Sequence, residues 1–241
     1  MKVLSIGNSF SQDAQRYLHQ LAEQEGVDLL AVNLYIGACS LDIHDKNLKF
    51  GDPAYSLEIN GESTGKFISI PNALCLDEWD VITLQQASHY SANFETYTPY
   101  LEEIAAHIKK VCPSAKLFIH ETWGYENGSE KLQNAGFSSY KEMQIAVLKA
   151  YEKAVKVIDA DGVIPSGRVM LCASEMGIKK IHRDTFHAAL GVGRYVLALT
   201  WYKALTGKDI TNNRFDNFDE PISESEREIA IHAVKSAFQT F

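Results

Sequence analysis

A serine hydroxyl attacks a carbonyl carbon only when a neighbouring base takes its proton. An imidazole can be that base when a carboxylate fixes its tautomer and balances its charge. The chain carries such a set in two distant places. Ser9 follows a short apolar run in Ile6-Gly7-Asn8-Ser9-Phe10-Ser11, and far downstream His182-Arg183-Asp184-Thr185-Phe186-His187 places a carboxylate three residues before an imidazole. That spacing lets Asp184 and His187 meet on one face of a turn or first helical turn. The anion formed on attack needs hydrogen-bond donors, and the candidates are the backbone N–H groups of Ser9 and Gly37 with a side-chain amide from Gln85 or Gln86.

Each residue also has a plainer reading. Serines between a strand and a helix are commonly caps, and Ser11 suits that role better than Ser9; Asp184 in turn suits an N-cap for a helix bearing Ala188. The ordered set, rather than any one motif, favours Ser9 as nucleophile and His187 with Asp184 as its base. Trp123 is expected to border the site, offering a ring face to a sugar or an acyl chain, with a core position as its plainer reading. Trp79 and Trp201 belong to the core. A phosphate-binding loop is excluded, because the chain has neither Gly-x-x-x-x-Gly-Lys-Ser/Thr nor Gly-x-Gly-x-x-Gly.

The elements that must position these residues alternate. Lys2 to Ile6 reads as a buried strand, and Gln12 to Glu25 as a helix with Ala14, Tyr17, Leu18, Leu21 and Ala22 on one face, stopped by Gly26. Further strands are expected at Leu29 to Tyr35, Asp80 to Leu84, Ala115 to His120 and Gly162 to Pro165, and further helices at Tyr97 to Val111, Tyr140 to Asp159, from about Arg168, from about Ala188, and from Glu224 to the end. Ser223 and Glu226 form a capping-box pair for the last of these. Tyr55 to Ile70 alternates around Asn60-Gly61, the signature of a hairpin inserted on the α/β body. The pattern predicts a mostly parallel sheet with helices on both faces, and the fold expected is one domain over residues 1–241, three-layer α/β/α and flavodoxin-like, with a central parallel sheet in the order 2-1-3-4-5. In such sheets ligands lie beyond the carboxyl ends of the strands, where Ser9, Gly37, Gln85 and Trp123 all fall.

Composition narrows the function classes. With 241 residues, 46% of them hydrophobic, the chain can bury a large core, and its formal net charge of −8 argues against a nucleic-acid partner. The cysteines, Cys39, Cys75, Cys112 and Cys172, are scattered, which suggests buried thiols rather than a disulfide framework or a metal site. No apolar run approaches membrane-spanning length, and Met1-Lys2 leads directly into the first strand. A cytoplasmic protein without a membrane partner is the expectation, one that a chain trimmed of a leader would share.

Taken together, Gly7-Asn8-Ser9, Gly37, Leu84-Gln85-Gln86-Ala87-Ser88 and Asp184-x-x-His187 resemble the ordered blocks of the SGNH (GDSL-like) hydrolase superfamily. IGNSFS, WDVITLQQAS and RDTFHAALGVGRY followed by TWYKALTG are similar to its DUF4886-type bacterial branch, over nearly the whole chain from Leu4 to Gly207. The resemblance implies a serine esterase that needs no metal or cofactor, acting on a carboxylic ester, with an O-acetyl sugar or another small O-acyl compound as the substrate. A thioesterase or lipase with the same triad is the alternative within the enzymes, and a non-catalytic glycan-binding scaffold the alternative outside them. Two departures stand out. Asn8 replaces the usual Asp, and the Gly-x-Asn-Asp block is absent, so a glutamine, Gln85 before Gln86, must supply the amide that its asparagine gives to the oxyanion.

Overall fold

The computed structural model describes residues 1–239. Its strands are β1 (Lys2–Gly7), β2 (Leu30–Tyr35), β3 (Tyr55–Ile59), β4 (Glu62–Ile68), β5 (Val81–Leu84), β6 (Lys116–His120) and β7 (Gly162–Ile164). They form one sheet in the order β4-β3-β2-β1-β5-β6-β7. The five strands β1, β2, β5, β6 and β7 run parallel and, counted alone, lie in the expected order 2-1-3-4-5. Their near-continuous apolar runs reflect burial on both faces.

The hairpin of β3 and β4 extends this sheet antiparallel to β2. Asn60 and Gly61 turn it with φ of 53° and 82°, the two positive values a tight two-residue hairpin loop demands. Gly61 is required for a second reason: a Cβ there would lie 2.5 Å from the Arg16 carbonyl oxygen.

The helices are α1 (Ser9–Gln15), α2 (Leu18–Gln24), α3 (Leu41–Phe50), α4 (Ile70–Leu74), α5 (Tyr100–Val111), α6 (Glu130–Asn134), α7 (Tyr140–Val157), α8 (Ser166–Glu175), α9 (Val192–Thr206) and α10 (Glu224–Gln239). One core lies between the sheet and α1, α2, α8, α9 and α10, through Phe10, Leu18, Met170, Leu197 and Val234. A second lies on the opposite face under α3, α4, α5 and α7, through Leu41, Ile70, Ile104 and Val147. Trp79 and Trp201 are buried in these cores. Among the described residues no helix is long and apolar enough to cross a membrane.

Some expectations shift. The single helix read from Gln12 to Glu25 is two, parted at Arg16-Tyr17, where the Tyr17 hydroxyl donates to Leu190 O at 2.5 Å and the Arg16 guanidinium turns to Asp219 at 2.7 Å. The helix expected from Ala188 starts only at Val192, because residues 182–188 close into a loop of their own. Of the thiols, which are all free, Cys39 is buried but Cys75 is exposed and the other two are half-buried. The Ser223 and Glu226 pair forms as expected, with the Glu226 N–H donating to Ser223 Oγ at 3.2 Å and the Ser223 N–H to Glu226 Oε2 at 2.8 Å.

Candidate active site

β1 ends at Gly7, and the chain turns at once into α1. Gly7 is obligatory here, since a Cβ would sit 2.2 Å from Ser11 Oγ. The N-cap is Asn8: its Oδ1 accepts the Phe10 N–H at 3.0 Å, while Ser11 Oγ accepts the Asn8 N–H at 3.1 Å. Ser11 therefore completes a capping box from the first turn rather than capping the helix itself, a correction to the sequence reading. Ser9 is the first helical residue, half-buried, and its own N–H has no partner among the described residues. Gly37, just past β2, is exposed and its N–H is likewise unpartnered there.

Across the rim, His187 Nε2 lies 2.8 Å from Ser9 Oγ, and His187 Nδ1 lies 2.8 Å from Asp184 Oδ2. The other Asp184 oxygen accepts the His187 backbone N–H at 2.9 Å. Asp184 thus caps its own turn, not a helix. With Nδ1–H donating to the carboxylate, the Nε2 lone pair faces the serine hydroxyl. Burial raises the Asp184 carboxyl pKa, but the donors of His187 outweigh it and hold the group below the usual carboxylate range.

The loop that carries this pair is tied at its base. His182 and Ala188 form a bridge, the Ala189 N–H donates to Ile181 O at 2.8 Å, and the Arg183 N–H donates to His187 O at 3.0 Å. Thr185 at its tip has φ of 76° and accepts the Glu126 N–H at 2.7 Å.

The remaining predicted residues separate. Gln86 is fully buried and its amide is spent: Nε2 donates to Thr96 O at 2.9 Å and to Thr96 Oγ1 at 3.2 Å, and Oε1 accepts from Leu41 and Ala87. It has no donor left for an oxyanion. Gln85 Nε2 donates to Asn8 Oδ1 at 2.8 Å, which commits one of its two hydrogens.

Trp123 does not line the rim, against expectation. It is fully buried, stacked on Phe10 with ring centres 4.0 Å apart, and its Nε1–H donates to Phe186 O at 2.7 Å. Phe186 in turn lies 3.9 Å from the His187 ring. The tryptophan is a floor beneath the base.

Two groups escaped the sequence reading. His120, at the end of β6, joins Gln85 Oε1 at 2.6 Å through Nδ1 and Ser166 Oγ at 3.0 Å through Nε2. Since an amide oxygen only accepts, Nδ1 carries the proton. Full burial presses the imidazole pKa down to about 3, so it stays neutral. A buried chain of hydrogen bonds therefore runs from Ser166 through His120 and Gln85 to the N-cap of the serine helix.

The second group is Asp13, fully buried on α1, whose carboxylate accepts from Arg183, Arg194 and the Ala188 N–H. The sequence carries little signal for it, since Asp13 lies among the polar residues Ser9, Ser11, Gln12, Gln15 and Arg16, where an acid reads as a solvated surface group.

Comparison with known proteins agrees with this architecture. A family model described as a domain of unknown function, DUF4886, matches residues 2–237. A solved DUF4886 family protein from Bacteroides uniformis is 34% identical, with a TM-score of 0.92 over 99% of this chain and 95% of that one. A candidate SGNH hydrolase from Slackia heliotrinireducens superposes with a TM-score of 0.61 at 21% identity, over 85% of this chain and 98% of that one. The esterase EstA from Pseudoalteromonas sp. gives 0.54 at 10% identity, over 86% and 97%. No curated protein matches the chain. The chain belongs to the DUF4886 family, and its fold is that of the SGNH/GDSL hydrolases.

Proposed function

We propose that the protein is a serine ester hydrolase. The observation that carries this reading is the unbroken line from Ser9 Oγ to His187 Nε2 and from Nδ1 to Asp184, each step 2.8 Å. Ser9 Oγ attacks the ester carbonyl as His187 takes its proton, and Asp184 stabilises the imidazolium. The imidazolium then protonates the departing alcohol. A water, deprotonated by the same nitrogen, releases the acid from the acyl-serine.

The negative oxygen of each tetrahedral intermediate is held by the N–H groups of Ser9 and Gly37, with the second Gln85 N–H as the side-chain donor. Lying at the N-terminus of α1, the Ser9 N–H adds the helix dipole to this charge stabilisation.

The proposed substrate is a small O-acyl ester, with a sugar or another small molecule as the alcohol. Trp123, being fully buried, cannot stack on it.

Turnover of p-nitrophenyl acetate by the wild-type protein and by Ser9→Ala tests the reading. Loss of the nucleophile should lower kcat by about 10⁴-fold or more. Equal rates in the two proteins would refute it.

A further inference from the structure

We propose that Asp13 is a positioning residue that sets the reach of His187 to Ser9. Ser9 and Asp13 stand four residues apart on α1, so they share one face of that helix, one turn apart. The Asp13 carboxylate is completely buried. Arg183 Nη1 donates to its two oxygens at 2.8 and 2.9 Å, Arg194 Nε to Oδ1 at 2.9 Å, and the Ala188 N–H to Oδ2 at 3.1 Å. Residues 183 and 188 are the two positions that flank the Asp184–His187 segment. One carboxylate thus grips both ends of the loop that carries the base, from the helix that carries the nucleophile.

Arg183 makes the grip a closed ring, because the same Nη1 donates to Ala188 O at 2.7 Å and its backbone N–H donates to His187 O at 3.0 Å. Arg194, on α9, ties Asp13 onward to Asp219 at 2.5 Å, and Asp219 holds Arg16 from the end of α1. The loop itself has no helix or strand within residues 183–187 to keep its shape. Glu126 and Trp123 also hold it, at Thr185 O and Phe186 O, but among these bonds only those of Asp13 and Ser9 Oγ tie it to the helix that carries Ser9, and a displacement of about 1 Å at a reacting pair can cost about 100-fold in rate.

The inference rests on the esterase reading for its kinetic arm, and a second readout is independent of turnover. The Nδ1 proton that His187 shares with Asp184 should give a far-downfield proton NMR signal whose sharpness reports how firmly the pair is held. Asp13→Asn, folded by circular dichroism, should lose about 100-fold in kcat with KM unchanged and should broaden that signal.

Arg183 also lies 3.9 Å from Asp184, so the second variant is Arg183→Lys, which keeps a positive charge near Asp184 but is too short to place its single nitrogen where Nη1 meets Asp13 and the Ala188 carbonyl. It should lower kcat by about 10-fold and broaden the same signal. Wild-type kcat and a sharp signal in a folded Asp13→Asn protein overturn the proposal. Should Asp13→Asn fail to fold, Arg183→Lys decides alone, wild-type values overturning the proposal and the expected losses upholding it. Should the wild-type protein show no turnover, the esterase reading falls and the proton signal judges Asp13 by itself.

Discussion

The two halves of the candidate site are built in opposite ways. Ser9 stands where a parallel strand meets a helix, and the backbone on either side of it belongs to regular structure or to a capping box, its own N–H being left unpartnered among the described residues. Beneath it lies a neutral chain of hydrogen bonds through Gln85, His120 and Ser166. Asp184 and His187 stand in an irregular, half-exposed loop, bonded at its root and tip and joined to the serine helix by charged side chains on Asp13. A nucleophile backed by backbone order tolerates little change in place. An imidazole carried by a loop depends on scattered single contacts, the ion pairs on Asp13 among them, and each is a separate point of failure.

The largest effect that would sharpen this contrast lies at the two glutamines, which differ by one position and by everything they touch. In the proposed mechanism Gln85→Ala removes an oxyanion donor and should cost about 10²- to 10³-fold in kcat, beside a stability loss from the buried His120 Nδ1–H left without its acceptor. Gln86→Ala removes no such donor. It instead leaves the buried Leu41 N–H without an acceptor, and it should cost about 1–3 kcal/mol of stability with kcat nearly unchanged. Steady-state kinetics beside urea unfolding separates the two. A large kcat loss in Gln86→Ala with none in Gln85→Ala would remove Gln85 from the oxyanion hole.

Much of the serine half was legible in the sequence because its signals are local. A buried run ending in glycine acts within a few residues and places Ser9 beyond the end of β1, whereas the cap falls on Asn8 instead of Ser11 and the helix read from one apolar stripe divides in two. The parallel sheet followed from alternating elements and the hairpin from Asn60-Gly61, while the order 2-1-3-4-5 came with the flavodoxin-like fold as a whole. The base loop was legible only as the pair Asp184-x-x-His187. Its shape depends on Asp13, some 170 residues upstream, and no periodicity reports such a contact.

Trp123 shows the same limit from the other side. Its position beyond β6 is evident from the sequence, but whether it faces solvent or the core is decided by Phe10 stacking on it. His120 and Gln85 sit at the ends of different strands, and only the lateral neighbourhood of β5 and β6 brings them together.

A smaller effect tests how dry the two halves are. Burial presses His120, under the serine turn, down to about 3, His44 also to about 3, and His182, at the base of the loop, to about 4. Unfolded histidine titrates near pH 6.5. Below that pH the unfolded chain takes up protons that the folded one refuses, so stability is full above about pH 6.5 and falls as pH drops toward the folded values. Each imidazole contributes up to about 1.4 kcal/mol per pH unit in this window. The buried carboxyls of Glu58 and Glu121, pushed up by burial, bind protons in the folded state and oppose the fall in its acidic part.

His182→Gln isolates one imidazole, since the glutamine amide can donate to Gly124 O where Nε2 lies at 3.1 Å. Urea unfolding between pH 7 and about 5 should show a shallower slope in this variant than in the wild type. Identical slopes would mean that the imidazole under the loop is not held neutral.

The smallest effect distinguishes order from strain. In the serine turn the capping residues satisfy the backbone, whereas Thr185 at the tip of the base loop is a β-branched residue at φ of 76°, a conformation that costs about 1–2 kcal/mol. Its backbone oxygen, not its side chain, receives the Glu126 N–H. Thr185→Gly relieves the strain and keeps that bond, while the freer unfolded chain takes back up to about 1 kcal/mol. The net change should lie between zero and about 1 kcal/mol of added stability, read as a small rise in the urea midpoint at an unchanged m value. A loss of about 2 kcal/mol would show instead that the threonine side chain is itself a fastening of the loop, beyond the backbone bond that Glu126 makes to its tip.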